Sequence, residues 1–197
     1  MPAFIKNKKT EHYDWISNPD IITAAHTLMD GITLDPASSD KANEYVCAEN
    51  YYTIADDGLN VKKWFGNVYL FPPGGSYFWN AKRERWIKTR GLSPTLTASH
   101  SVWWKTMKRK WIEREFDQAV FFSNAPDMFL YAQDIFDHPV CILRTRPILG
   151  QHFLADDKIV ERSTCCSFVV YLQPQDFDDS HTENFVNIFK NKGRILI

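Results

Sequence analysis

The sequence predicts an α/β fold, and three observations carry that prediction. Short apolar runs alternate along the chain with amphipathic segments of helical period. Hydrophobic residues make up 44% of the 197 residues, enough for a sizeable core and too many for a disordered or collagen-like chain. No repeat, low-complexity tract or linker interrupts the pattern, so residues 1–197 read as one domain.

Taken in order, Asp20 to Met29 suits a helix entered through Asn18 as cap and Pro19 at the first position, and closed by Gly31. Ile32 to Asp35 reads as a short buried strand, and Ser38 or Ser39 caps a second helix across Lys41 to Glu49. Asp56-Asp57-Gly58 is a turn signal. Asn67 to Phe71 is a strand that stops at Pro72-Pro73-Gly74-Gly75, because proline cannot donate to a ladder and glycine releases the backbone. Residues 76–98 look irregular, polar and basic, hence a long loop. A helix follows from Ser99 or Ser101 to about Phe116, with Trp104, Met107 and Trp111 on one stripe. Ala119 to Ser123, Val140 to Arg144, Ser167 to Leu172 and Arg194 to Ile197 complete the strands. A helix over 127–136 and a loop or hairpin over 147–166 lie between them.

Several function classes are disfavoured at once. No apolar run is long enough to span a membrane, and the first residues lack the apolar stretch of a secretory signal. The four cysteines, Cys47, Cys141, Cys165 and Cys166, read as reduced, mostly buried thiols, which points to the cytoplasm. His138 and Cys141 have a ligand-like spacing but no partner pair, so no metal site is expected. Nucleotide-binding glycine loops and a Gly-x-Ser-x-Gly elbow are absent. Asp156-Asp157 and Asp178-Asp179 suggest a DNA-cutting centre only weakly, since both suit solvated turns.

Charge is unevenly spread. The chain's formal net charge is −1, yet between Lys82 and Arg114 ten basic residues face only Glu84 and Glu113. A basic segment on an acidic body suits polyanion binding, and equally a solvated helix face. Within it, Tyr77, Phe78, Trp79 and Trp86 interleave with Lys82, Arg83, Arg85, Lys88 and Arg90, a pattern that lets bases stack while cations meet phosphates.

Five segments occur in a telling order: Trp15 with Pro19; Leu34-Asp35-Pro36-Ala37-Ser38-Ser39 with Asn43; Tyr51-Tyr52-Thr53 before Asp56-Asp57-Gly58-Leu59; Trp64-x-Gly66; and Phe71-Pro72-Pro73-Gly74-Gly75. Trp103-Trp104, Pro139 to Pro147 and Phe168 to Leu172 follow. Together they resemble the phage-type DNA N6-adenine methyltransferase (Dam) family from about Trp15 to the C-terminus. The resemblance implies a compact class I (Rossmann-like) methyltransferase sheet with flanking helices, S-adenosyl-L-methionine as cofactor and DNA as partner. It places Asp35, Pro36, Asp56 and Asp57 at the cofactor, Phe71, Pro72 and Pro73 in the catalytic turn, and residues 76–100 as the DNA-recognition loop. In such a turn a side chain and the next carbonyl accept hydrogen bonds from the target amino group, so that catalysis is mainly positioning. Phe71 stands where the family pattern has Asn or Asp and offers no acceptor. The alternatives are therefore a catalytically silent homologue that binds DNA or a protein partner, and a methyltransferase for another acceptor.

Overall fold

The computed structural model describes residues 15–61, 63–73, 77–80, 85–88, 99–151, 159–162, 166–176 and 178–197. Strand β1 (Trp15–Ile16) leads into helix α1 (Pro19–Met29). Asn18 caps α1 by accepting from the Asp20 amide, Pro19 opens it, and Asp30 ends it in the left-handed region at φ 56°. Strand β2 (Leu34–Asp35) precedes α2 (Asp40–Val46), capped by Ser39 through the Ala42 amide. Strands β3 (Asn50–Tyr51), β4 (Asn67–Leu70), β5 (Tyr77–Asn80) and β6 (Arg85–Lys88) come before α3 (His100–Ile112). Then follow β7 (Gln118–Ser123), the short α4 (Met128–Tyr131), a 3₁₀ turn (Gln133–Asp137), β8 (Val140–Leu143), β9 (Ile148–Gln151) and β10 (Ile159–Arg162). Strand β11 (Phe168–Leu172), α5 (Asp179–Phe189) and β12 (Gly193–Leu196) close the chain.

Seven strands form one mixed sheet in the order β12-β8-β11-β7-β4-β2-β3. Strands β3, β2, β4 and β7 are parallel; β11 is inserted antiparallel between β7 and β8, so β8 again runs with β7. Strand β12 lies antiparallel at the edge, with Gly193 opposite Leu143. A separate three-stranded sheet joins β1, β9 and β10, and β5 pairs with β6.

Alternation along the central strands sorts the core into two layers, as a period of two demands. Val68, Leu70, Ala119, Phe121, Phe168 and Val170 pack with Trp103, Trp104 and Met107 of α3. Tyr69, Phe71, Val120, Phe122, Val169 and Tyr171 face the opposite way, onto Ile21, Ala25 and Met29 of α1 and Phe185 and Phe189 of α5. The result is a helix–sheet–helix sandwich, an α/β arrangement compatible with a Rossmann-like fold.

Three expectations change, and one, the loop or hairpin over 147–166, resolves into an antiparallel strand pair. The helix expected over 127–136 divides at Ala132, whose φ of −141° and ψ of 61° break the helical path. The region expected to be an irregular loop after the double proline contains the β5–β6 hairpin, with Trp79 opposite Trp86, because its aromatic run has high strand propensity. Residues 147–166 supply the β9–β10 pair. Of the cysteines, Cys141 is buried but Cys47 and Cys166 are exposed, against the expectation of mostly buried thiols; Cys165 lies outside the described residues. Among the described residues no helix is long and apolar enough to cross a membrane.

Candidate functional site at the carboxyl edge of the sheet

Strands β2 and β4 are direct parallel neighbours, with Leu34 opposite Val68. Asp35 and the Phe71-Pro72-Pro73 turn therefore leave the sheet at the same carboxyl edge, side by side. That edge is where open α/β sheets bind ligands.

Asp35 is 4% exposed. Its Oδ1 accepts from the Ala37 amide at 3.0 Å, an Asx-type cap on the strand's exit. No salt bridge is formed by Asp35 among the described residues. Burial pushes its carboxyl up to about 7, against the lowering pull of the Ala37 amide and the nearby Ser38 hydroxyl. That hydroxyl is itself buried and completes no hydrogen bond among the described residues. Tyr69 shares the layer, and its phenol pairs with the buried Ser17 hydroxyl. Burial drives the Tyr69 phenol far above the ordinary tyrosine range, the Ser17 hydrogen bond lowers it, and the charge of Asp35 raises it further.

The Asp56-Asp57-Gly58 turn is brought against this corner. A Cβ built on Gly58 would sit 1.8 Å from the Pro36 carbonyl oxygen, so only glycine allows the close approach. The carboxylates serve the turn itself. Asp56 Oδ2 accepts from the Thr53 amide at 2.8 Å and the Thr53 hydroxyl at 2.7 Å, which holds its pKa below the usual carboxylate range. Asp57, left-handed at φ 55°, accepts from the Asn60 amide group at 2.8 Å.

On the other side of the corner, Phe71 is 8% exposed and packs into the core. Its ring lies 4.7 Å from Phe122 and edge-on to His100 at 6.4 Å. Pro72 and Pro73 are buried, and no N–H among the described residues donates to the Pro72 carbonyl. His100 opens α3 and is buried; its Nδ1 pairs with the Ser123 hydroxyl at 2.8 Å at the end of β7. Burial lowers its pKa to about 4, so the ring is neutral at pH 7, and Nε2 has no partner among the described residues. This pair was not legible in the sequence: two single polar residues, 23 positions apart, meet only once β7 and α3 are packed.

The basic segment behaves differently from its composition. Lys110 is buried and pairs with Glu115 at 2.7 Å, Arg109 with Glu113 at 2.8 Å, and Arg114 with Asp176 at 3.0 Å. Lys108 contacts the His138 ring and lies 5.1 Å from the centre of the Trp111 ring. Much of the helix charge is thus neutralised or engaged within the fold. Of the proposed DNA contacts, Lys82, Arg83 and Arg90 lie outside the described residues, while Arg85 and Lys88 are placed on β6 by backbone alone. Asp156 and Asp157 also lie outside them; Asp178 caps α5 through the Ser180 amide at 3.0 Å, so that pair is helix-start chemistry. No cluster of three potential metal ligands occurs among the described residues.

Asp35 and the buried Ser38 hydroxyl beside it leave hydrogen-bonding capacity at this edge, and a nearby cationic centre would favour the ionised carboxylate. The fold and this edge define the class: an α/β chain with a polar ligand corner at parallel strand ends. No family model matches the chain, nor does any curated protein or solved structure.

Proposed function

We propose that the chain is an S-adenosylmethionine-dependent methyltransferase acting on the N6 amino group of adenine in DNA. The observation that supports it is the placement of Asp35 and the double-proline turn at adjacent parallel strand ends. The order of the sheet, with β11 antiparallel between β7 and β8, supports a Rossmann-like methyltransferase framework.

In this reading Asp35 and Ser38 hold the cofactor's polar groups, and the Gly58 turn closes against Pro36. When bound, S-adenosylmethionine supplies an electrophilic methyl group. The stiff Pro72-Pro73 turn holds the Pro72 carbonyl, which accepts one amino N–H of the base and turns the nitrogen lone pair toward that methyl. Phe71 cannot accept a second. The neutral His100 ring, fixed through Ser123 and edge-on to Phe71, is the second positioning group in this reading. Its low pKa makes it a poor proton acceptor, so the role assigned is orientation of the base edge, and the proton that the methylated nitrogen gives up would pass to solvent.

Incubation with labelled S-adenosylmethionine and unmethylated duplex or single-stranded DNA should yield N6-methyladenine. The core packing of Phe71 favours one other reading, a silent homologue that binds cofactor and DNA without transfer. Binding of S-adenosylhomocysteine and DNA with no product would establish that alternative.

A further inference from the structure

Two clefts adjoin one another at the far end of the same sheet edge. One, of about 380 Å³, lies between the start of α1 and the chain leaving β8, and is lined by Arg144, Arg146 and Lys192 with Asp20 as its acid. The other, of about 510 Å³, is lined by Arg144, Lys190 and Arg194, with no acidic residue among the described residues that line it. Arg144 belongs to both. Arg144, Lys190 and Arg194 are exposed, and Lys192 is half-buried. None of these four forms an ion pair with another described residue. This contrasts with α3, where Arg109 and Lys110 each have a carboxylate.

The cations are held on rigid backbone. The Arg144 amide donates to the Lys192 carbonyl at 3.0 Å, which sets those two residues across from one another at the end of the β8–β12 ladder. Gly193 makes the approach possible, since a Cβ there would sit 2.1 Å from the Ile142 carbonyl oxygen. Like charges directly opposite across strands are destabilising, and an anion between them removes that cost.

We propose that this ledge seats successive phosphates of a nucleic-acid backbone. A single phosphate would need one cleft; two clefts sharing an arginine suit a repeating polyanion. The position agrees with such a ligand. Strand β8 is three places from β4, about 14 Å at the usual strand spacing, on the edge that also carries Asp35 and Pro72. At about 3.4 Å of axis per nucleotide, that is roughly four nucleotides along a backbone from a base at the double-proline turn. The ledge binds nucleic acid whether or not methyl transfer occurs.

The test measures binding of a labelled DNA duplex by fluorescence anisotropy across salt concentrations, with the full chain and no cofactor. The triple variant Arg144→Gln, Lys190→Gln, Arg194→Gln removes exposed charges, and its melting temperature should equal or slightly exceed the parent's, since the Arg144–Lys192 repulsion goes with it. Its affinity should fall at least ~10-fold at low salt, and the log–log salt slope should shrink by roughly 2–3, about 0.9 for each phosphate that the variant no longer neutralises. Unchanged affinity and slope in a folded triple variant would overturn the proposal. So would tight, salt-insensitive competition by inorganic phosphate, which marks a small-anion site, or preferential binding to phosphatidylserine vesicles, which marks a membrane surface. If the triple variant melts early, Lys190→Gln alone, at an exposed helix end, should still reduce the slope by about 1; no reduction there also overturns it. DNA binding with these properties but no methylated product would leave the ledge standing and remove the catalytic reading.

Discussion

Replacing Asp35 by Asn should make the protein more stable and less able to bind its ligand. Asp35 is buried with no ion-pair partner among the described residues, and its carboxyl is raised from 3.8 to about 7. Between about pH 4 and 7 the folded chain holds a proton that the unfolded chain has released. Stability therefore falls as pH rises through that window and is level above it. Three pKa units at about 1.4 kcal/mol each amount to on the order of 4 kcal/mol at pH 8. Asn is nearly isosteric, is neutral at every pH and keeps an acceptor for the Ala37 amide, so it avoids the penalty. His100 works in the opposite direction: lowered from 6.5 to about 4, it contributes stability above pH 6.5 that is lost as pH falls toward 4. His138, also lowered to about 4, does the same. Both contributions cancel in the difference between parent and variant. Urea unfolding from pH 4 to 8.5 should give a difference near zero at the acid end and on the order of 4 kcal/mol in favour of Asn at the alkaline end. A variant equal to or weaker than the parent at pH 8 would refute a costly buried charge at this corner.

Phe71→Asn should restore the missing acceptor and weaken the core, because the ring that packs on Phe122 is replaced by an amide in an apolar site. A loss of about 3–5 kcal/mol is expected from denaturant unfolding. Among the molecules still folded at low temperature, N6-methyladenine formation should rise, and an equally inactive folded fraction would show that Phe71 does not limit the reaction. Gly58→Ala should lower the melting temperature, since a Cβ 1.8 Å from the Pro36 oxygen must push the 56–58 turn off the Asp35 corner; an unchanged melting curve would contradict that packing. His100→Asn should reduce methyl transfer while leaving S-adenosylhomocysteine affinity within about twofold; loss of cofactor affinity would instead place His100 in cofactor binding.

Local chemistry made much of the fold readable. Asn18-Pro19 and Ser39 announce helix starts through their capping, and the continuous apolar runs at 67–71, 119–123 and 167–172 announce strands buried on both faces. The double proline marks the end of β4 because it cannot continue the ladder. Long-range pairing was less legible. Two-residue strands such as β1 and β3 carry no period, and exist because β9 and β2 offer them partners. Charge pairing was hidden for the same reason: Lys110 of α3 and Arg114 in the turn after it meet Glu115 and Asp176 only after folding. The opposite holds for Arg144-Thr145-Arg146, read in the sequence only as part of the Pro139 to Pro147 segment, and for Lys190 to Arg194, two tracts whose charge the β8–β12 pairing unites.

Calorimetric titration with S-adenosylhomocysteine, run on the parent and on Asp35→Asn, bears most directly on the corner formed by Asp35 and the double proline. The parent should show one saturable site, and the variant, although more stable, should bind at least tenfold more weakly. A parent that takes up no ligand, or a variant that binds as well as the parent, would contradict a cofactor site at these strand ends.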